Sequence, residues 1–143
     1  MSFTTGDTTA PNCSISINSG DSYANSTTVT LDLSASDDVG VTGYYLSASS
    51  TTPLASAAGW TSVTSITSYS ANVSYTLSSG NGSKTVYAWF KDAAGNISNV
   101  ASDSITLDTT VPTVTITSPT SNATYTTTSS TINLGGSASG SAG

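Results

Sequence analysis

Residues 69–77 read YSANVSYTL. Tyr69, Ala71, Val73, Tyr75 and Leu77 occupy alternate positions, with Ser, Asn and Thr between them. Successive Cβ atoms of an extended chain point to opposite sides, so this period of two marks a strand with one buried and one wet face. The pattern continues in both directions. Toward the N-terminus, Tyr44 and Leu46, then Val29, Leu31, Leu33 and Ala35, then Ile15 and Ile17 alternate with polar residues. Toward the C-terminus, Val86, Ala88 and Phe90 are followed by Ile105 and Leu107. Turn signals separate these runs: SGD at 19–21, DDVG at 37–40, SSGNG at 78–82 and DAAGN at 92–96. No segment combines a helical period with caps. The spacing predicts an all-β chain folded as an antiparallel β-sandwich of seven strands over residues 9–107. Its expected core is Ile15, Leu31, Leu33, Tyr44, Leu46, Val86, Ala88, Phe90 and Ile105.

Composition narrows the chemistry. The 143 residues carry 2 Lys+Arg against 8 Asp+Glu and no His, for a formal charge of −6. All the acids are Asp, both bases are Lys, and Ser and Thr make up about 40% of the chain. Without His there is no Ser-His-Asp or Cys-His site and no His-bearing zinc site. The lone Cys13 excludes an intrachain disulfide and a CxxC motif. A pI near 4.1 leaves no cationic surface for phosphates, which argues against nucleic acid and anionic membranes as partners. No run approaches the ~18 apolar residues of a helical membrane span. The opening MSFTTGDTTAP has neither the basic nor the apolar region of a signal peptide. Adjacent acids on a turn, with no base and no electrophile, do not make an enzyme.

An internal repeat organises the chain. DTTAP at 7–11 recurs as DTTVP at 108–112, a spacing of 101 residues, about the size of one immunoglobulin-like sandwich. LDLSASDDVG ending at Gly40 aligns with NLGGSASGSAG ending at Gly143, so Gly140 and Ser141 stand where the first copy has Asp37 and Asp38. The expected organisation is a linker at 1–8, an immunoglobulin-like domain at 9–107, a linker at 108–112 and the first strands of a second, incomplete copy at 113–143. In order and spacing, DTTAP, SASDDVG and KDAAGN resemble the bacterial Ig-like domains strung in tandem in large surface adhesins and other extracellular multidomain proteins. The resemblance implies a rigid spacer or adhesion module at a cell surface or outside the cell, with neighbouring repeats as partners. It also admits a glycan or a host-surface protein as ligand.

Two candidate sites follow. In a sandwich of alternating strands, the start of the first strand and the turns at 37–40 and 92–96 fall at one end. That end collects Asp7, Asp37, Asp38, Asp92 and Asn96, hard oxygen donors from three segments. Ca²⁺ needs such convergence, because its six to eight oxygens at ~2.3–2.6 Å rarely come from one loop. The same residues also suit turns, where Asp and Asn accept backbone N–H bonds, so calcium and no metal at all both stand as readings. The second site is aromatic. If Val86, Ala88 and Phe90 point inward, Tyr87 and Trp89 point outward beside Tyr45, forming a platform for stacking on sugar rings. The alternative is cross-strand packing or cover by a loop such as 52–60.

The leading expectation is thus a non-enzymatic structural or adhesive repeat. A carbohydrate-binding module attached to an extracellular enzyme is the first alternative. The second is a filament or virion subunit that self-assembles through the unpaired strands of residues 108–143.

Overall fold

The computed structural model describes residues 6–119, 122, 124 and 126–140. The chain is all-β, an antiparallel-dominated sheet curled into a sandwich. Its first unit contains β1 (Asn12–Ile17), β2 (Tyr23–Ala24), β3 (Thr28–Ser47), β4 (Thr61–Thr76), β5 (Gly82–Asp92) and β6 (Ala101–Leu107). The sheet order is β1-β3-β5-β6-β2, with β4 also paired to β3.

Strand count departs from the expectation of seven. DDVG does not end a strand; β3 runs through it for 20 residues. Its first half pairs with β1 and with the second half of β4, and its second half pairs with β5 and with the first half of β4. A register shift between Ser36 and Val41 absorbs the four intervening residues as a bulge. Because β3 and β4 bend together there, both serve the two faces of the enclosed core. Gly40 makes the bend possible, with a φ of 147° and an added Cβ 2.2 Å from Ser65 Oγ.

The alternation read from sequence sets the inside. Val29, Leu31, Leu33 and Ala35 are buried, as are Val86, Ala88, Phe90, Ile105 and Leu107. Ile15, Tyr44 and Leu46 are only half-buried and pack against this cluster from its rim, while Ile17, Val41 and Leu77 join the centre. Tyr44, Tyr69 and Phe90 meet with ring centroids 6.0–6.2 Å apart. Between β5 and β6, buried Ser98 fixes the chain by donating its N–H to Phe90 O and accepting the Phe90 N–H on Oγ. Among the described residues, the one parallel pairing joins β2 to β6. Thr106 N donates to Ser22 O and Asp108 N to Ala24 O at 3.0 and 2.8 Å.

β7 (Thr113–Ser118) and β8 (Gly135–Ser139) form a separate two-stranded sheet. Its register repeats that of β1 on β3. Thr113, Val114, Thr115 and Ile116 face Ser139, Ala138, Ser137 and Gly136, as Asn12, Cys13, Ser14 and Ile15 face Ser36, Ala35, Ser34 and Leu33. Gly140 therefore follows Ser139 as Asp37 follows Ser36; Ser141 lies outside the described residues. Two strands enclose nothing, and Val114, Ile116 and Leu134 are exposed.

Candidate metal centre

The bend in β3 carries the first carboxylate. Position 37 continues the inward parity of 29, 31, 33 and 35, and Asp37 is 8% exposed. Its Oδ2 accepts the N–H groups of Val39 at 3.1 Å and Gly40 at 2.7 Å, which caps the bulge. The end of β5 carries the second. Asp92, 2% exposed, accepts the Asn96 backbone N–H on Oδ1 and the Asn96 side-chain amide on Oδ2, at 2.9 and 2.6 Å. Gly95, at φ 91°, closes that turn. The linker carries the third. Asp7 accepts the Thr9 N–H on Oδ1 at 2.9 Å, an Asx turn that sets the chain up for β1.

One carboxylate oxygen from each of Asp7, Asp37 and Asp92 lies within 4.8 Å of the other two. No lysine serves them. Lys84 donates to Ser78 Oγ and Ser79 O, and Lys91 donates to Ala55 O while lying 4.8 Å over the Trp60 ring. Two oxygens of the trio, Asp7 Oδ2 and Asp37 Oδ1, are buried with no hydrogen-bond partner. Like charges brought this close repel one another. An orphaned buried acceptor adds a further desolvation cost of about 1–3 kcal/mol. A divalent cation removes both penalties. The donor set suits a hard ion: three carboxylates from three segments, one oxygen of each within 4.8 Å of the others.

Two of the five expected ligands are placed differently. Asp38, one residue out of parity with Asp37, is exposed and outside the trio. Asn96 is in the site but as a donor; its Nδ2 bridges Asp92 Oδ2 and the Asp7 carbonyl oxygen at 3.0 Å. It is a brace that ties the linker to the β5 turn.

The aromatic platform is corrected. Trp89 is 0% exposed, packed by Tyr45 edge-on at 6.2 Å and by Tyr87 in a stack at 6.3 Å. The segment between β3 and β4 folds over this side of β5. Trp60 meets Tyr45 edge-on at 5.6 Å and donates its indole N–H to Leu54 O, and Gly59 lies so near the Tyr45 ring that a Cβ there would stand 2.5 Å from it. Period two marks which side of β5 faces the core, but this second cover leaves Trp89 no open ring face. Tyr45 and Tyr87 stay half-buried.

Sequence reasoning missed Asn81. It sits in the turn between β4 and β5 and makes four hydrogen bonds to the second linker. The Asn-Gly pair within SSGNG signals a turn and nothing about a tertiary contact.

Comparison with protein-family models, curated proteins and solved structures finds no match to this chain.

Proposed function

We propose that this chain is a structural and adhesive module, an immunoglobulin-like repeat of a bacterial surface or secreted protein. In this reading it works as a rigid spacer, its entry linker is fixed by Ca²⁺, and its partners are neighbouring repeats. The observation that carries the reading is the carboxylate trio. Two of its members belong to the sandwich and the third to the linker, so a cation there welds a flexible connection to a folded body. The residues Thr-Thr-Ala-Pro then continue the weld, because Pro11 fixes its own φ and holds Ala10 extended. Asp7, Asp37 and Asp92 would hold the ion, and Asn96 would hold Asp7 and Asp92 in place. The ion supplies charge neutralisation alone, and none of the three acids has a catalytic part.

The test is thermal melting of the chain in EDTA and in millimolar Ca²⁺. A ligand at a hundred times its Kd, bound to the native state alone, stabilises by about 2.7 kcal/mol. For a domain of this size that moves Tm by more than about 10 °C. Superimposable melting curves would reduce the trio to turn formers and the function to spacer alone.

The carbohydrate reading keeps one foothold. Tyr87 lines a cavity of about 330 Å³ with Tyr75, Ser78 and Lys84. Titration calorimetry with neutral and acidic oligosaccharides tests it, and no heat with either class removes it. Strand complementation draws on exposed Val114 and Ile116 of β7, and a molecular mass by light scattering that stays monomeric at all concentrations removes that reading.

A further inference from the structure

We infer that Asn81 is a positioning residue that latches the exit linker to the sandwich, and that this latch holds the second junction without a cation. The inference rests on the spacer reading above but not on calcium. Asn81 projects from the tip of the turn at 78–82, between Gly80 at φ 88° and Gly82 at φ 126°. Its amide is used in both directions. Oδ1 accepts the backbone N–H of Thr109 at 3.0 Å and the Thr109 hydroxyl at 2.9 Å. Nδ2 donates to Asp108 Oδ1 at 3.0 Å and to Thr110 Oγ1 at 2.7 Å. One neutral side chain thus engages three consecutive linker residues.

The linker is shaped to receive it. Thr110 N donates to Asp108 Oδ1 at 3.0 Å, the same Asx turn that Thr9 makes with Asp7. Asp108 N is anchored on Ala24 O. At the first linker the corresponding carboxylate meets two others, an arrangement that calls for positive charge. At the second, the carboxylate meets the Asn81 amide and the Thr110 backbone N–H, and the register of β7 on β8 sets Gly140 where Asp37 stands in the first copy. Two N–H groups, from Asn81 and Thr110, serve Asp108 Oδ1 with neutral donors in place of a positive charge. The two junctions are therefore stiffened by different chemistry.

Amide hydrogen exchange followed by NMR on the full chain, once in Ca²⁺ and once in EDTA, tests the latch. The Thr109 amide is expected to be protected equally in both. Asn81→Ala should speed its exchange roughly tenfold in both buffers, while the Val86 amide in the core keeps its rate and reports that the fold is intact. Asn81→Asp keeps the side chain's size but sets a carboxylate against Asp108, and should lose protection as well. Combining it with Asp108→Asn returns a donor–acceptor pair and should restore protection. The latch is overturned if wild-type Thr109 exchanges at the unprotected rate, if Asn81→Ala leaves it unchanged, or if EDTA strips it. Failure of the calcium melting test leaves this result untouched, which separates the two ideas.

Discussion

Asp-Thr-Thr-x-Pro occurs at 7–11 and at 108–112, and both copies make the same Asx turn, yet they meet opposite surroundings. The first enters a cluster of like charges in which two buried oxygens lack partners. The second meets one neutral amide, that of Asn81, which both donates and accepts. The strands that follow differ as sharply. β1 lies on a strand whose inward residues are buried, whereas β7 and β8 repeat the register with their apolar residues in water. Similar local sequence therefore gives similar local conformation and pairing. What surrounds that conformation depends on residues 27 to 89 positions away.

The widest gap between the copies should appear in the core. Leu33, 1% exposed, corresponds in register to Gly136, and Ile15 corresponds to Ile116. Leu33→Ala should cost about 2–5 kcal/mol in chemical denaturation, the usual price of a buried cavity. Ile116→Ala should stay within about 0.5 kcal/mol. A large effect at Ile116 would mean that β7 is covered in solution.

Next in size is the calcium response. Asp37→Asn and Asp92→Asn should each abolish the rise in Tm, because each removes a charged ligand. Asp37→Asn keeps an oxygen for the Val39 and Gly40 N–H groups, so in EDTA it should melt no lower than the wild type. Asp38→Asn should leave the response whole. Equal loss at Asp37 and Asp38 would undo the assignment of the trio.

The alternation of apolar and polar residues made much of this legible. Asp37 follows Val29, Leu31, Leu33 and Ala35 on odd positions, so the alternation that locates the core also separates it from Asp38. The same alternation places Val86, Ala88 and Phe90 correctly. It fails at Trp89, since period two describes one covered face and β5 has two, the second covered by an aperiodic segment ending at Trp60. It also divides β3 at DDVG, a turn signal that the fold uses as a bulge between two halves of one strand. Asn96 was legible as a site residue but not as a donor, because an amide offers both an oxygen and N–H groups and only its neighbours decide which is used.

A smaller effect is expected at the second linker. Asp108→Asn should leave the calcium response unchanged and shift global stability by less than about 0.5 kcal/mol, as befits an exposed contact. If it abolished the calcium response, the metal would belong to the wrong junction.

The smallest and most local difference concerns a thiol. Cys13 and Val114 occupy equivalent places in the two hairpins, one half-buried and one 74% exposed. Burial pushes the Cys13 thiol above its usual range, against the opposing hydrogen bond to Ser98 Oγ at 3.3 Å. Less thiolate at neutral pH means slower attack on an alkylating agent. Native Cys13 should therefore react with iodoacetamide much more slowly than a cysteine introduced by Val114→Cys in a Cys13→Ser background. The stability linked to this thiol is present below the unfolded thiol's pKa and is lost as pH rises through the raised folded value. Equal alkylation rates would show that β1 frays.

The short parallel pairing of β2 with β6 takes on a further meaning if the chain is pulled. Tension entering from the N-terminal side and leaving through Asp108 draws two parallel strands past each other. The Thr106–Ser22 and Asp108–Ala24 bonds are then strained together rather than one after another. Antiparallel strands gripped at one shared end would instead open like a zipper, each bond carrying the whole load in turn. Resistance to such a pull is set by how fast the fold gives way, not by its equilibrium stability. The pairing through Tyr23 and Ala24 stands beside the point where the chain leaves the sandwich.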